Sequence, residues 1–317
     1  MEYLEIIGDD KFLNYECIKI DDKVAKLPPP DELDEDFDET FVETGREKEI
    51  IDQALAAWRA NYHFVLKGPS GVGKTTIVFR LGRLLKKDVY IFNGSDSTQA
   101  DEIACGVAPT NDHNFELRAS EIFTAALRGQ ICCFDDLQKC PGKSLARLNS
   151  LLDRRRSLYA ALLNVRIKAH KEFLSCAAIN EDESLGNELP KDLVDRLLPA
   201  IYVGYPCHKD LEKILIKNLP EVENMWIEAF LEKYRDQKFS PRIAIKLLGY
   251  ANTLYNNGIC RKIDRGKIKE YLSKAEQGMS ISKPSQQPDH KEDEIKKKKE
   301  RYDEDFLLFA QKGETVH

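Results

Sequence analysis

One eight-residue run limits the fold more than any other part of the chain. Residues 68–75 read Gly-Pro-Ser-Gly-Val-Gly-Lys-Thr and match the pattern Gly-x-x-x-x-Gly-Lys-Thr. An apolar segment at 63–66 precedes the run, and helical spacing begins at Lys74. Glycines at these positions let successive backbone N–H groups converge on phosphate oxygens at a helix N-terminus. The pattern therefore predicts a strand, a phosphate-binding loop and a helix in succession.

The loop also predicts which side chains would touch a nucleotide. Lys74 has the length to reach the β and γ phosphates, and the hydroxyl of Thr75 is a ligand that Mg²⁺ accepts. We therefore expect ATP and Mg²⁺ as ligands, although these residues do not strictly discriminate ATP from GTP. The nucleotide-contacting residues predicted from the sequence are Gly68, Pro69, Ser70, Gly71, Val72, Gly73, Lys74, Thr75 and Thr76.

A second motif, which is acidic, supports the first. Residues 131–136 read Ile-Cys-Cys-Phe-Asp-Asp, an apolar strand that ends in two carboxylates. Ligands of α/β sheets bind outside the carboxyl ends of the strands, so both carboxylates are expected beside the loop. Asp135 would hold Mg²⁺ directly or through water, and Asp136 would polarise the attacking water as a general base. A strand followed by an ordinary acidic turn has the same pattern, but the loop upstream favours the functional interpretation.

Segments of strand and helix type alternate over the first two thirds of the chain. Such alternation is typical of parallel strands joined by helical crossovers, so we predict an α/β sheet. The predicted strands are 63–66, 89–92, 131–134, 173–179 and 201–203, and the predicted helices are 46–60, 74–85, 119–127 and 145–152. After Pro206 only amphipathic helices are predicted, which indicates a second, smaller domain; they span 211–219, 223–233, 241–255 and 267–275.

The two ends of the chain differ from the middle in composition. Residues 1–40 include three prolines and an acidic stretch at 31–39, which predict a solvated appendage, with a docking strip for a basic partner as the alternative. Residues 277–317 predict a flexible linker followed by a charged tail. The sequence shows neither a membrane span nor a secretory pattern, and its eight cysteines lack zinc-ligand spacing. Reduced thiols and a cytoplasmic location are therefore expected.

These motifs, taken in order, resemble those of AAA+ ATPases, and within them the MoxR-like group of dynein-related ATPases. The resemblance extends from residue 45 to about residue 275. It rests on Gly45-Arg46-Glu47 near the expected adenine pocket, on Ala177-Ala178-Ile179-Asn180, on Leu193-Val194-Asp195-Arg196-Leu197 and on Ser240-Pro241-Arg242. Residues 93–103, 115–129, 141–154 and the alternating hairpin pattern at 157–168 also match in order.

The resemblance implies roles for three residues beyond the loop. Asn180 corresponds to sensor 1, which helps to position the lytic water. Arg196 corresponds to the arginine finger, which reaches the γ-phosphate bound by a neighbouring subunit, with Arg154–Arg156 as other candidates. Arg242 corresponds to sensor 2, and a cation at the start of a helix is tolerable if it pairs with a phosphate. For Arg196 and Arg242 the alternative interpretation is a solvated surface arginine.

The resemblance also implies an architecture and an activity. We expect an α/β core at about 41–205 with strand order 5-1-4-3-2, a helical lid at about 206–276, and ATP between them. Family members form ring oligomers, usually hexamers, in which hydrolysis moves the lid and so acts on a partner. MoxR-like proteins are typically chaperones, often for a partner with a von Willebrand-type domain. Asp136 replaces the family's Glu, which implies slower turnover, and Leu197 replaces a Phe.

Two other functional classes are compatible with the sequence. The first is a nucleic-acid motor or restriction subunit, in which Lys168, His170, Lys171 and Arg154–Arg156 would line a basic pore. The net charge of −6 argues against nucleic acid as the main partner. The second is a nucleotide-gated switch that hydrolyses ATP poorly. It is kept because the side chain of Asp136 is shorter than that of the family's Glu.

Overall fold

A computed structural model describes residues 4–32, 37–112, 114–181, 189–257 and 264–279. The strands are β1 (Leu4–Ile7), β2 (Cys17–Ile20), β3 (Lys23–Lys26), β4 (Phe64–Gly68), β5 (Val89–Asn93), β6 (Cys105–Pro109), β7 (Phe115–Ala119), β8 (Ile131–Asp135), β9 (Ser157–Ala160), β10 (Val165–Lys168), β11 (Leu174–Asn180) and β12 (Ala200–Tyr202). The α-helices are α1 (Phe37–Thr40), α2 (Gly45–Arg59), α3 (Lys74–Leu85), α4 (Glu121–Arg128), α5 (Gly142–Leu145), α6 (Asn149–Leu152), α7 (Lys191–Val194), α8 (His208–Asn218), α9 (Asn224–Lys233), α10 (Pro241–Asn257) and α11 (Arg265–Gly278).

The central sheet has five parallel strands in the order β12-β4-β11-β8-β5. Numbered along the chain, this is the order 5-1-4-3-2, so the expected α/β fold is confirmed. The register places Asn180 opposite Gly68 and Ala178 opposite Asp135. The carboxyl ends of β4, β8 and β11 therefore lie together at one edge, which is where α/β sheets bind ligands.

Both faces of the central sheet are covered. Successive residues of a strand face opposite sides of the sheet. On one side, Phe64, Leu66 and Cys133 pack with buried residues of α2 and α3. On the other side, Phe134 and Ala177 pack with α4 and with the short helices that follow β8. Because both faces are buried, the strands are continuous apolar runs, and this explains why the sequence pattern identifies them.

The first strands change the expected organisation of residues 1–40. β1 pairs in parallel with β10, β2 pairs with β3, and β3 pairs in parallel with β7. Phe12 and Ile18 are buried in the same core as α4. Residues 4–27 are therefore built into the body of the protein rather than attached as an appendage, because their alternating apolar side chains are buried there. Of the acidic stretch at 31–39, residues 33–36 lie outside the described residues.

Two further segments show how local pattern and structure compare. The alternating hairpin predicted at 157–168 is present as the antiparallel pair β9 and β10. The single helix predicted at 145–152 is interrupted, since a 3-10 helix at Ala146–Leu148 separates α5 from α6. A second antiparallel pair, β6 and β7, lies between β5 and α4 and was not predicted as a hairpin.

The helices α8 to α11 follow the last strand of the central sheet. Trp226, Phe230 and Leu247 are among their fully buried side chains. The division into a core at 41–205 and a lid at 206–276 stays a prediction. Of the linker and tail predicted at 277–317, residues 280–317 lie outside the described residues. None of the helices in the described part of the chain is both long enough and apolar enough to cross a bilayer.

Candidate functional site

The predicted phosphate-binding loop forms a tight turn between β4 and α3. Gly71 and Gly73 have φ angles of 76° and 97°, in the left-handed region that glycine adopts at least cost. A Cβ atom on Gly71 would lie 2.9 Å from Oγ of Ser240 and 3.0 Å from Cβ of Arg242. Glycine at residue 71 is therefore required both by the turn and by the close approach of α10.

Lys74 is the buried cation of the loop, with 6% of its surface exposed. Its Nζ atom donates hydrogen bonds to the carbonyl oxygens of Gly68 at 2.9 Å and Pro69 at 2.7 Å. It also donates to Oδ1 of Asn180 at 2.7 Å. The ammonium group is thereby held against the loop at the edge where the strands end. A phosphate oxygen in place of these neutral acceptors would form a stronger, charge-assisted hydrogen bond.

Asn180 joins the loop to the acidic motif that follows β8. While Oδ1 of Asn180 accepts from Lys74, its Nδ2 donates to Oδ1 of Asp136 at 2.9 Å. The second carboxylate oxygen of Asp136 accepts a hydrogen bond from Nζ of Lys139 at 2.7 Å. The predicted residues Lys74, Asn180 and Asp136 thus form one continuous hydrogen-bonded chain. Lys139 is an addition that the sequence did not indicate.

Asp135 ends β8 and is the carboxylate expected to hold Mg²⁺. Its Oδ1 accepts a hydrogen bond from the backbone N–H of Asp136 at 3.0 Å. Burial, followed by the negative charge of Asp136, raises the pKa of Asp135 above its ordinary value. The hydrogen bond from Asp136 and the charge of Lys74 act in the opposite direction. A cation bound beside Asp135 would favour its charged form and so lower that pKa.

The oxygen donors beside the loop fit Mg²⁺ bound together with a nucleotide. Thr75 offers a hydroxyl on the cavity beside the loop, and Asp135 offers a carboxylate at the end of β8. Hard oxygen ligands of this kind are the ones that Mg²⁺ prefers. Among the described residues, no group of three or more His, Cys, Asp or Glu side chains could hold a metal ion. A Mg²⁺ ion would therefore take most of its ligands from phosphate and water, as it does in nucleotide sites.

A cavity of about 390 Å³ lies beside the loop and is bordered by α2, α3, α8 and α10. Arg242 lines this cavity, and its backbone N–H donates to the carbonyl oxygen of Gly71 at 3.4 Å. Oγ of Ser240 accepts from the backbone N–H of Ile243 at 3.4 Å and so caps the start of α10. The predicted residue Arg242 is thus brought to the loop. The lining also includes Gly71, Val72, Gly73, Thr75, Thr76, Phe37, Phe41, Ile214 and Asn218.

Arg46 and Glu47, expected near an adenine pocket, line the same cavity. Nε of Arg46 donates to Oε1 of Glu47 at 2.9 Å. The guanidinium of Arg46 also donates to the carbonyl oxygens of Val72 and Gly204. This arginine therefore ties the start of α2 to the phosphate loop and to the segment that follows β12.

Arg196 lies apart from this group. Its side chain is half-buried and donates a hydrogen bond to the carbonyl oxygen of Asp192. Arg155, and to a smaller extent Arg196, holds the pKa of Asp153 below its ordinary value. Arg196 does not line the cavity beside the loop. The structure therefore brings Lys74, Asn180, Asp136 and Arg242 to one region and leaves Arg196 outside it.

The basic residues considered for a pore do not share one surface. Lys168 and Lys171 are exposed, but His170 is only 6% exposed. Arg156 donates to the carbonyl oxygens of His170 at 3.0 Å and Phe173 at 3.1 Å. His170 and Arg156 serve local structure because both are turned towards backbone groups of the protein itself. Of the residues considered for a basic pore, His170 is therefore buried and Arg156 is engaged within the chain, and the pore itself stays an untested alternative.

Comparison with known proteins agrees with this geometry. Residues 63–197 match the family model described as AAA domain (dynein-related subfamily). Residues 63–197 are thus similar to an AAA domain. The matched stretch includes the phosphate loop, the acidic motif, Asn180 and Arg196, and it ends before β12. It accounts for four of the five strands of the central sheet.

Individual relatives resemble the chain at a distance. An uncharacterized protein of Staphylococcus epidermidis is 25% identical over 191 residues, which is 59% of this chain and 72% of the relative. The denitrification regulatory protein NirQ of Pseudomonas aeruginosa is 25% identical over 174 residues, 55% of this chain and 65% of NirQ. The Thermotoga maritima RuvB Holliday junction branch migration motor has a similar structure, with a TM-score of 0.53 and 18% identity over 76% of this chain and 71% of RuvB. At that identity the likeness concerns the fold alone.

Proposed function

We propose that the AAA domain binds ATP with Mg²⁺ and hydrolyses it, and that the protein works as a ring oligomer to remodel or activate a partner protein. The observation that carries the proposal is the hydrogen-bonded chain from Lys74 through Asn180 to Asp136. It joins a cation that can bind the β and γ phosphates, an amide that can orient water, and a carboxylate that can accept a proton.

Each residue of the site has a defined task in this proposal. Lys74 binds phosphate oxygens, and Arg242 adds a second positive charge from the start of α10. Asn180 and Asp136 orient and polarise the attacking water. Thr75 and Asp135 would hold Mg²⁺, which neutralises charge on the β and γ phosphates. Charge stabilisation by fixed groups is usually the largest contribution to phosphoryl transfer, and the arrangement supplies it.

Arg196 is the reason for proposing a ring. An arginine that acts on the nucleotide of a neighbouring subunit has to lie outside the cavity of its own chain, and Arg196 does. AAA+ proteins commonly form oligomeric rings, and a hexamer is the usual size. The client protein and its von Willebrand-type domain rest on the MoxR-like resemblance. One relative, NirQ, is named a denitrification regulatory protein.

Steady-state ATP hydrolysis, measured against protein concentration with light scattering on the same samples, tests the proposal. Specific activity should rise with concentration as oligomers form in the presence of ATP. Lys74→Ala and Arg196→Ala should each abolish hydrolysis, while Arg196→Ala should still bind nucleotide. Arg235→Ala, at an exposed arginine, is the matched control. A protein that stays monomeric and hydrolyses ATP normally with Arg196→Ala would contradict the ring and the role of Arg196.

A nucleotide-gated switch with slow turnover is the second candidate, and one observation favours it. Both carboxylate oxygens of Asp136 accept hydrogen bonds, one from Asn180 and one from Lys139. Oxygens that already accept hydrogen bonds have fewer lone pairs left for the proton of an attacking water. Tight ATP binding without measurable turnover, at protein concentrations where the oligomer is present, would favour the switch over the ATPase.

A further inference from the structure

The cavity beside the phosphate loop has two chemically different sets of lining residues. One set is the loop itself, with the backbone of residues 71–73 and the hydroxyl of Thr75. The other set is apolar and includes Phe37, Phe41, Phe79, Ile214 and Ile245. The ring of Phe37 contacts those of Phe41 and Phe79, with centroids 5.6 Å and 6.4 Å apart. Because the loop would take the phosphates, the apolar set is where the flat base of a nucleotide would lie.

Asn218, the last residue of α8, is a polar side chain placed among these apolar residues. Its Nδ2 atom donates to the carbonyl oxygen of Ile214 at 2.9 Å and to that of Thr40 at 3.1 Å. An amide nitrogen carries two hydrogens, so both are used. The two carbonyls therefore fix which end of the amide is nitrogen and which is oxygen. Among the described residues, Oδ1 of Asn218 accepts no hydrogen bond.

Other polar side chains of the same lining are engaged. Arg46 and Glu47 bind each other, and Glu47 also accepts from the hydroxyl of Thr44. Oγ1 of Thr40 donates to the carbonyl oxygen of Phe37 at 3.3 Å. Asn218 thus lines the part of the cavity suited to a base with an amide whose orientation is set by two hydrogen bonds.

Adenine and guanine differ in the group that would meet such an acceptor. The exocyclic N6 amine of adenine is a donor, whereas O6 of guanine at the same ring position is an acceptor. A hydrogen bond from N6 to Oδ1 would satisfy both groups, while O6 would face Oδ1 with no hydrogen between them. A site built to hydrogen-bond one group of a ligand discriminates strongly against ligands that lack it.

We propose that Asn218 is the residue that selects adenine over guanine nucleotides, by accepting a hydrogen bond at Oδ1 from the N6 amine. The proposal rests on the proposed function, because it needs a nucleotide with its phosphates at the loop of Lys74. It adds the choice of base, which the loop residues do not determine. Asn218 is a specificity-determining residue and takes no part in the proposed chemical step.

Binding of nucleoside diphosphates tests the proposal without interference from hydrolysis. We would measure the Kd of ADP, GDP and purine riboside 5′-diphosphate, which lacks the N6 amine, by calorimetry in the presence of Mg²⁺. The wild type should bind ADP at least about tenfold more tightly than either of the others. Asn218→Ala should bind ADP and the purine riboside diphosphate within about twofold of each other, because the partner of N6 is gone. Lys213→Ala, at an exposed residue of the same helix, should keep the wild-type preference.

The outcomes separate this inference from the function on which it rests. Equal affinity of the wild type for ADP and purine riboside diphosphate would overturn the role of Asn218 while leaving nucleotide binding intact, and this arm needs no variant. Retention of the full ADP preference by Asn218→Ala would overturn it as well. Failure of the wild type to bind any of the three would overturn the proposed function together with the inference.

Discussion

Nδ2 of Asn180 lies 2.9 Å from Oδ1 of Asp136, so the ends of β11 and β8 are joined by a side-chain hydrogen bond. The same asparagine accepts a hydrogen bond from Lys74 through its Oδ1. A single amide therefore connects the cation of the phosphate loop with the carboxylate proposed as the general base. Because both ends of that amide are engaged, its orientation is fixed before any substrate arrives.

Replacing Asn180 should lower the rate of ATP hydrolysis much more than the affinity for ATP. Asn180→Ala removes the group that orients Asp136, while Lys74 keeps its contacts with the carbonyls of Gly68 and Pro69. We expect kcat for ATP hydrolysis to fall about 100-fold and the Kd of ATP to change less than about threefold. Phosphate release measures kcat, and equilibrium binding on the same preparation measures the Kd. The exposed Asn224→Ala is the matched control, and an equal loss in kcat and affinity would argue that Asn180 binds phosphate instead.

Asp136 combines a chemical task with an unusual backbone. Its φ angle is 54°, in the left-handed region that Asp and Asn adopt more readily than longer side chains. We expect Asp136→Glu to lower the free energy of unfolding by about 1 kcal/mol for this reason. Asp136→Asn should keep the stability and lose hydrolysis, since the amide cannot accept a proton. Chemical denaturation and phosphate release on both variants provide the measurements.

The Asp136→Glu variant also tests whether the length of this side chain limits the rate of ATP hydrolysis. If the side chain of Asp136 is too short to contact the attacking water well, Asp136→Glu should hydrolyse ATP faster than the wild type despite its lower stability. A slower Asp136→Glu would mean that the chain is adapted to the shorter carboxylate.

His63 makes folding depend on pH. It is 8% exposed, its Nδ1 lies 2.8 Å from Oγ of Ser175, and burial, assisted by the charge of Arg156, lowers its pKa from 6.5 to about 4. The unfolded chain therefore binds a proton over a pH range in which the folded chain does not. The stability should be fully present above about pH 6.5 and should fall by about 3 kcal/mol as the pH drops to about 4.

Urea unfolding between pH 4 and pH 7 measures this dependence. His63→Gln, which keeps a polar side chain but does not titrate, should show a flatter profile. His208→Gln, at an exposed histidine, should retain the wild-type slope. A profile that is identical for the wild type and His63→Gln would show that other groups cause the acid sensitivity.

Arg128 attaches the N-terminal strands to the core. Its buried guanidinium donates to the carbonyl oxygens of Phe12, at 3.0 Å, and Tyr15, and to the hydroxyl of Tyr90 at 2.7 Å. Arg128→Met would leave these groups without their charged donor, so we expect a loss of about 3 kcal/mol in the free energy of unfolding. Hydrogen exchange should rise first in β1 and β2. Arg235→Met, at an exposed residue, is the control, and an unchanged stability of Arg128→Met would show that the apolar contacts of Phe12 suffice.

The part of the fold that could be predicted is the part with a local signature. The central strands are buried on both faces and leave continuous apolar runs, such as residues 131–134, and the loop before Lys74 has a fixed spacing of glycines. Asp135 and Asp136 follow a strand directly, so the sheet edge that they occupy follows from the strand direction. These elements could be predicted without knowing which residues far away in the sequence they contact.

The remaining elements depend on contacts between residues far apart in sequence. β1 pairs Leu4 with Val165, and β3 pairs Lys26 with Arg118, so neither four-residue strand has a local pattern strong enough to identify it. The contact of Asn218 with Thr40 is equally remote, and nothing in the residues around Asn218 indicates it. The alternating apolar residues at 17–20 indicate a strand. The acidic stretch that follows them favoured the interpretation of the whole segment as a solvated appendage.

Nucleotide binding at the loop of Lys74 is tested by the Kd of ATP, measured with Mg²⁺, for the wild type, Lys74→Ala and Lys213→Ala. Both the ATPase and the switch require that Lys74 bind the nucleotide. We expect the wild type and Lys213→Ala to bind ATP equally and Lys74→Ala to bind it at least about 30-fold more weakly. Wild-type protein that fails to bind ATP, or a Lys74→Ala variant that binds it as well as the wild type, would show that this loop is not a nucleotide site.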